Sequence, residues 1–138
     1  MKRSATSIPQ LCPRFHRASE LIGRRWTGAI LFVLVGAPRC RFATLRAAVP
    51  GITDRMLSER LQELEAEDLV ARTVVPDTPV RVEYALTRKG QSLATAIHAI
   101  AAWAEEWLDA PPSAPRAAAK PRAERASRAS RKPAASRA

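Results

Sequence analysis

Residues 41–86 read RFATLRAAVPGITDRMLSERLQELEAEDLVARTVVPDTPVRVEYAL, and the order of patterns inside this stretch decides the fold. Phe42, Leu45 and Val49 stand at i, i+3, i+7, so Arg41 to Val49 is expected to form an amphipathic helix. Pro50-Gly51 stops it. A second helix is expected to start at Thr53, whose hydroxyl can cap it, with Asp54 placed against the positive end of the dipole. Met56, Leu57, Leu61 and Leu64 make its core face, which leaves Thr53, Arg55, Ser58, Glu59 and Gln62 on an outward polar stripe. Leu69 to Val75 follows, then the tip Pro76-Asp77-Thr78-Pro79, then Val80 to Leu86. In the last run Val80, Val82, Tyr84 and Leu86 alternate with Arg81, Glu83 and Ala85. That period of two marks a strand with one buried face in a two-stranded hairpin, and the prolines limit ladder pairing to the hairpin's end. Helix, turn, helix and hairpin in that order give a mainly α fold with a small β-hairpin wing, the winged helix-turn-helix plan of a DNA reader.

The segments on either side complete one domain. Residues 1–11 are a short polar arm with Lys2 and Arg3. A helix is expected from Pro13, a residue suited to the first helical position, through Leu21 to Gly23. Trp26 to Val35 is nearly all apolar and reads as a helix buried on most sides. Thr87 is placed to cap a long last helix from Arg88 to about Leu108. Its stripe of Leu93, Ile97, Ile100, Ala104, Trp107 and Leu108, flanked by Trp103, is more apolar surface than a small domain needs for its own core. A homodimer is the expected use of that surface, with closure of the helix's own core as the other use. The domain is placed at 12–108 and a disordered tail rich in Ala, Arg, Ser and Pro at 109–138.

Charge narrows the partners. The chain of 138 residues holds 23 Lys+Arg against 13 Asp+Glu, a net charge of +10, which attracts a polyanion at neutral pH. From Ala110 onward there are eight cations and one acid, Glu124, so much of the basicity belongs to the tail and the domain's case rests on its fold. The tail is read as a loose phosphate-binding segment that raises affinity without adding sequence preference, or as a plain solubilising extension. Hydrophobic residues make up 46% of the chain and aromatics 5%, so the core is expected to be Leu, Ile, Val and Ala. No apolar run approaches the roughly 20 residues that span a bilayer, and Met1 to Leu11 lacks the apolar centre of a secretory signal. Two cysteines are too few for a disulfide scaffold. These features lead to the expectation of a cytoplasmic, nucleoid-associated protein with no membrane partner.

The chemistry-bearing residues divide by task. Base edges supply sequence information, whereas phosphates fix position. Arg55, with Thr53 and Ser58 beside it, lies near the start of the recognition helix, where an arginine can grip guanine through two hydrogen bonds. Arg81, beside the wing tip, is a candidate for a minor groove. Arg39, Arg41 and Arg46 are candidate backbone contacts, and Arg60 on the helix flank either touches phosphate or pairs with Glu63 or Glu65. Cys12 precedes Pro13 and so occupies a helix cap position near Arg14, His16 and Arg17, a setting that makes a thiol reactive toward oxidants and electrophiles. The plainer role is that of a small residue packed at a helix start. Cys40 is read as incidental. Cys12, His16, Cys40 and His98 form no compact zinc pattern, so no metal or cofactor is expected. Trp26, Trp103 and Trp107 either line a ligand pocket at a dimer interface or pack in the core. There is no Gly-rich phosphate loop, paired-carboxylate motif or nucleophile elbow, which argues against an enzyme.

In the order and spacing of short motifs from Cys12 to Trp107, the chain resembles the MarR-like HxlR branch of bacterial winged helix-turn-helix regulators. The motifs are Cys12-Pro13, Leu21-Ile22-Gly23, Trp26-Thr27, Ala37-Pro38, Arg41-Phe42 and Leu45-Arg46. The series continues with Pro50-Gly51-Ile52-Thr53, Met56-Leu57, Arg60-Leu61, Leu64-Glu65, Leu69-Val70, Arg72, the run Val80 to Tyr84, Leu86-Thr87 and Gly90. The resemblance implies a homodimeric regulator of double-stranded DNA with dimer contacts from the first and last helices. It also supports the wing placement of Arg81 and implies a sensing role for a cysteine near Cys12, with an oxidant or small molecule as effector. Gly28, Gly36 and the basic tail depart from the family pattern. The expected function is repression at an inverted-repeat operator. An architectural DNA-compacting protein is the alternative, and a thiol or metal-dependent enzyme is an alternative of another class.

Overall fold

The computed structural model describes residues 9–110. The expected arm at residues 1–11 falls mostly outside that range, as does all of the expected disordered tail beyond Ala110. Six helices and three strands run in the order α1 (Pro13–Gly23), α2 (Thr27–Gly36), β1 (Cys40–Arg41), α3 (Phe42–Ala48), α4 (Asp54–Ala66), β2 (Val70–Val75), β3 (Arg81–Leu86), α5 (Arg88–Gln91) and α6 (Ala94–Trp107). None of the helices is long and apolar enough to cross a membrane.

The core is aliphatic, as the composition requires. Ile30, Leu31 and Leu34 of α2 meet Leu45 of α3, Leu57, Leu61 and Leu64 of α4, and Ile97 of α6, all buried. α2 is less enclosed than its sequence suggests, because Phe32 on its far side is half exposed. Trp26, expected inside α2, is instead its N-cap, in the left-handed region at φ 76°. Its ring packs against the core and stands 3.5 Å from where a Cβ on Gly51 would lie. Gly51 itself has φ +85°, the conformation that lets α3 turn directly into α4.

Thr53 caps α4 as expected, its hydroxyl accepting from the Met56 amide at 3.2 Å. The far end of α4 closes in a Schellman arrangement with Asp68 at φ 57°. The Leu69 amide donates to the Leu64 carbonyl and the Asp68 amide to that of Glu65, both at 2.9 Å, and Leu64 and Leu69 are both buried. The chain leaves this turn straight into the hairpin.

The wing has three strands in the order β1-β3-β2, all antiparallel, where a two-stranded hairpin was expected. Arg41 accordingly belongs to β1, paired with Glu83, and caps α3 without joining it. Cys40 pairs with Tyr84 and is buried, so it is a structural residue of the sheet. Only Val70 of β2 and only Tyr84 and Leu86 of β3 are buried, all at the hairpin's base, while Val74 and Val80 toward the tip are exposed. A hairpin embedded at one end and free at the other projects from the domain.

The expected long last helix is two helices. Thr87 caps α5, its hydroxyl accepting from the Gly90 amide at 3.1 Å and donating to the Asp68 carbonyl at 2.6 Å. The helix then breaks at Ser92-Leu93. There the Ser92 hydroxyl donates to the Lys89 carbonyl at 2.6 Å and the Leu93 amide donates three residues back to the Gly90 carbonyl. This tight turn redirects the chain into α6, which packs on α2 through Ile97.

Candidate nucleic-acid interface

On α4, with about 100° between successive residues, Arg55, Ser58, Glu59 and Gln62 fall within a sector of roughly 100° opposite Leu57 and Leu64. The burial agrees with this: Leu57, Leu61 and Leu64 are enclosed, while Arg55 and Gln62 are exposed and Ser58 and Glu59 half exposed. The outward stripe therefore carries an arginine, a hydroxyl, a carboxylate and an amide, a set able to donate to and accept from base edges. Thr53 stands at its start with the hydroxyl committed to the cap.

Five of the expected cations lie on the stripe, on the helix before it or on the wing. Arg55 donates through Nε to Glu59 Oε1 at 3.0 Å. Arg46, on α3, holds Asp54 at 2.9 Å, and with Ala43, Ala47, Gly51, Ile52 and Thr53 it lines an open depression where the turn meets α4. Arg81 stands at the tip end of β3 with Asp77 at 2.9 Å, and its Nε is buried without a partner among the described residues. Arg39, before β1, lies 3.6 Å from Glu83, and Arg41 is exposed on the strand. The Arg46–Asp54 and Arg55–Glu59 pairs are largely exposed, so each is weak, about 0–1 kcal/mol, and exchangeable for a phosphate or a base; Glu83 and Arg81 are partly buried in the other two.

Arg60 takes the second of its two expected roles, pairing with Glu63. It is 9% exposed and faces inward, because about 140° of helical rotation separates it from Arg55 and only about 40° from Leu64. Its Nε donates to the Arg25 carbonyl at 2.9 Å and its NH1 to both oxygens of Glu63 at 3.0 Å. Arg24 also reaches Glu63 at 3.0 Å, and Arg17 of α1 reaches Glu67 at 3.1 Å. Arg60 thus fastens the recognition helix to the turn between α1 and α2. Four carboxylates face the reader's arginines, and these pairings were not expected from the sequence. One of them, Glu59, was legible from its i, i+4 spacing to Arg55.

Cys12 is exposed at the N-cap of α1, directly before Pro13, as the sequence led us to expect. Its side chain makes no capping hydrogen bond, and His16 faces Glu20 at 3.2 Å. Burial pushes the Cys40 thiol up, which disfavours thiolate chemistry there. A groove of about 320 Å³ between α2 and α6 is lined by Ile22, Gly28, Phe32, Ile97, Ile100, Ala101 and Ala104; no tryptophan lines it. Trp26 sits by the Gly51 turn with the Arg25 guanidinium 4.9 Å above its ring, and Trp103 and Trp107 are exposed on α6.

A recognition helix with a polar outward stripe, preceded by a supporting helix and followed by a projecting hairpin, defines a winged helix-turn-helix DNA reader. The chain belongs to the HxlR family, whose description is HxlR-like helix-turn-helix and whose model matches residues 21–112. It is 47% identical over 100 residues to the uncharacterized HTH-type transcriptional regulator YvaP of Bacillus subtilis, covering 72% of this chain and 92% of YvaP. The reduced form of the transcriptional regulator YodB from B. subtilis superposes with a TM-score of 0.64 at 39% identity, over 75% of this chain and 100% of YodB. YodB structures also exist in diamide-treated and quinone-bound forms. The redox regulator HypR in its oxidized form matches with a TM-score of 0.66 at 34% identity, over 72% of this chain and 100% of that one. The protein is a transcriptional regulator of HxlR and MarR type.

Proposed function

We propose that the protein is a homodimeric, site-specific repressor that occupies promoter DNA, its two α4 helices entering successive major grooves of an inverted repeat. The observation that carries this reading is the α4 stripe of Arg55, Ser58, Glu59 and Gln62 set opposite the buried face of the same helix. In this arrangement Arg55 reads bases, Arg81 of the wing reaches the minor groove, and Arg39, Arg41 and Arg46 hold phosphates. Dimerisation accounts for the apolar surface left over: Phe15 on α1, Phe32 on α2, and Ile100, Trp103 and Trp107 on α6 are all more than half exposed. A two-fold interface places this patch and the groove beside it against their own copies. In a gel-shift titration, a bound operator fragment is expected to carry two chains and to survive an excess of random DNA. Displacement by an equal mass of random DNA would favour the architectural alternative, in which the domain and basic tail coat DNA without choosing sequence.

The exposed position of Cys12 supports a sensing role, and the forms in which YodB and HypR have been solved point the same way. A quinone or diamide is expected to lower operator affinity of the wild-type chain at least tenfold, and Cys12→Ser is expected to abolish that response. An undiminished response in the variant excludes this cysteine as the sensor.

A further inference from the structure

We infer that Glu59 is a specificity-determining residue of the reader: it holds Arg55 for base-edge contact and itself selects a base that offers an amino group. The inference rests on the proposed operator-binding reading and adds a residue that the arginine-based account leaves out.

The first observation is electrostatic. Residues 9–109 hold 13 Arg+Lys and 12 Asp+Glu, so the winged domain is close to neutral although the whole chain carries +10. Four of the arginines assigned to DNA face a carboxylate: Arg39 with Glu83, Arg46 with Asp54, Arg55 with Glu59 and Arg81 with Asp77. A surface that only needed to hold phosphates would gain from leaving those cations unopposed. Glu59 stands apart from the other three acids because it lies on the outward stripe of α4, on the face that enters the groove.

The second observation is the geometry of the pair. Glu59 Oε1 accepts from Arg55 Nε at 3.0 Å, and among the described residues no other hydrogen bond is made by the Arg55 guanidinium. Of the five N–H groups of the guanidinium, the four on the terminal nitrogens stay free, and those are the donors that grip guanine O6 and N7 end-on. The carboxylate orients the fork and offsets part of its charge, so Arg55 gains less from an arbitrary phosphate while the donors that grip guanine stay available. Glu59 is half exposed, and its second oxygen is an acceptor only. In a major groove the base-edge donors are cytosine N4 and adenine N6, whereas guanine N7 and O6 and thymine O4 repel a carboxylate. Four helical residues rise about 6 Å, so the base facing Glu59 lies within about two base-pair steps of the guanine read by Arg55.

The test uses the full chain as wild type, Glu59→Gln and Glu59→Ala, with binding-site selection followed by titration of the selected site and of random DNA across a salt series. Glutamine keeps the length and an acceptor while removing the charge; alanine removes both. Both variants are expected to bind random DNA several-fold more tightly, with a salt dependence steeper by about one phosphate per recognition helix. They are also expected to lose about tenfold in the ratio of selected to random binding, a loss concentrated at one cytosine or adenine position per half-site. An unchanged motif, random-DNA affinity and salt slope in both variants would overturn the inference while leaving the operator reading intact. If the wild-type chain itself selects no motif, the operator reading falls and this inference falls with it.

Discussion

Arg55→Ala is expected to remove most of the preference for an operator over random DNA while barely changing the stability of the fold. Arg55 is exposed at the centre of the outward α4 stripe, and its only partner among the described residues is Glu59 one turn on, so truncation leaves no buried group unsatisfied. A bidentate arginine–guanine contact is worth about 1 to 3 kcal/mol of discrimination. The contact occurs twice in a dimer, so the ratio of specific to random binding should fall by about 30-fold at the least and about 10⁴-fold at the most. Arg46→Ala is the matched control. Arg46 lies on α3 beside the start of α4, turned toward Asp54 and the open depression, a position suited to phosphate. Its loss should weaken binding to both DNAs about equally and flatten the salt dependence. Identical losses from the two substitutions on both DNAs would show that Arg55 reads no base.

Gly90→Ala is expected to have the largest effect on stability. A Cβ at this position would overlap the backbone carbonyl oxygen of Leu69 and crowd Cδ2 of Leu86, which lies 3.1 Å from where it would stand. The Leu69 carbonyl has nowhere to go, because it accepts from the Thr87 amide at 3.0 Å and sits between the Schellman turn and the base of the hairpin. Relief would require separating α5 from that base, where Leu69, Val70 and Leu86 are buried together. We expect a loss of about 3 kcal/mol, seen in thermal unfolding as a drop of about 12 to 24 °C for a domain of this size. A shift of only a degree or two would mean that the packing of α5 on the hairpin is looser than the structure shows. The loss should leave the specificity ratio of the folded fraction unchanged, which separates this substitution from Arg55→Ala.

The parts of the structure that could be read in the sequence are those set by local chemistry. Pro50-Gly51 and the Thr53 cap mark the turn, the helical spacing of Leu57, Leu61 and Leu64 marks the buried face of α4, and the alternation through Tyr84 and Leu86 marks the wing strand. What escaped depends on partners distant in the chain. β1 is two residues long, too short for any period, and exists because Cys40 and Arg41 meet Tyr84 and Glu83 some 40 positions later. The packing of α5 on the base of the hairpin depends on the close approach of Gly90 to Leu69, which no local pattern records. Arg60 is a different case. Its helical phase, close to that of Leu64, places it on the buried side, and the nearby Glu63 makes pairing one of the two roles its position allows. The Arg39–Glu83 pair again joins residues far apart in sequence, and the Arg46–Asp54 pair bridges the turn between two helices, so neither pairing follows from a helical or strand period although the near-neutral charge of the domain can be counted from the sequence.

These observations converge on one claim, that the α4 stripe reads sequence and does so twice in a symmetric assembly. Binding-site selection by the full chain from random DNA fragments at physiological salt tests it most directly. The account predicts recovery of a common inverted repeat whose half-sites are centred about one helical turn apart, roughly 10 base pairs, each with a guanine at the position read by Arg55. Recovery of fragments with no shared motif, at affinities set by salt alone, would contradict it.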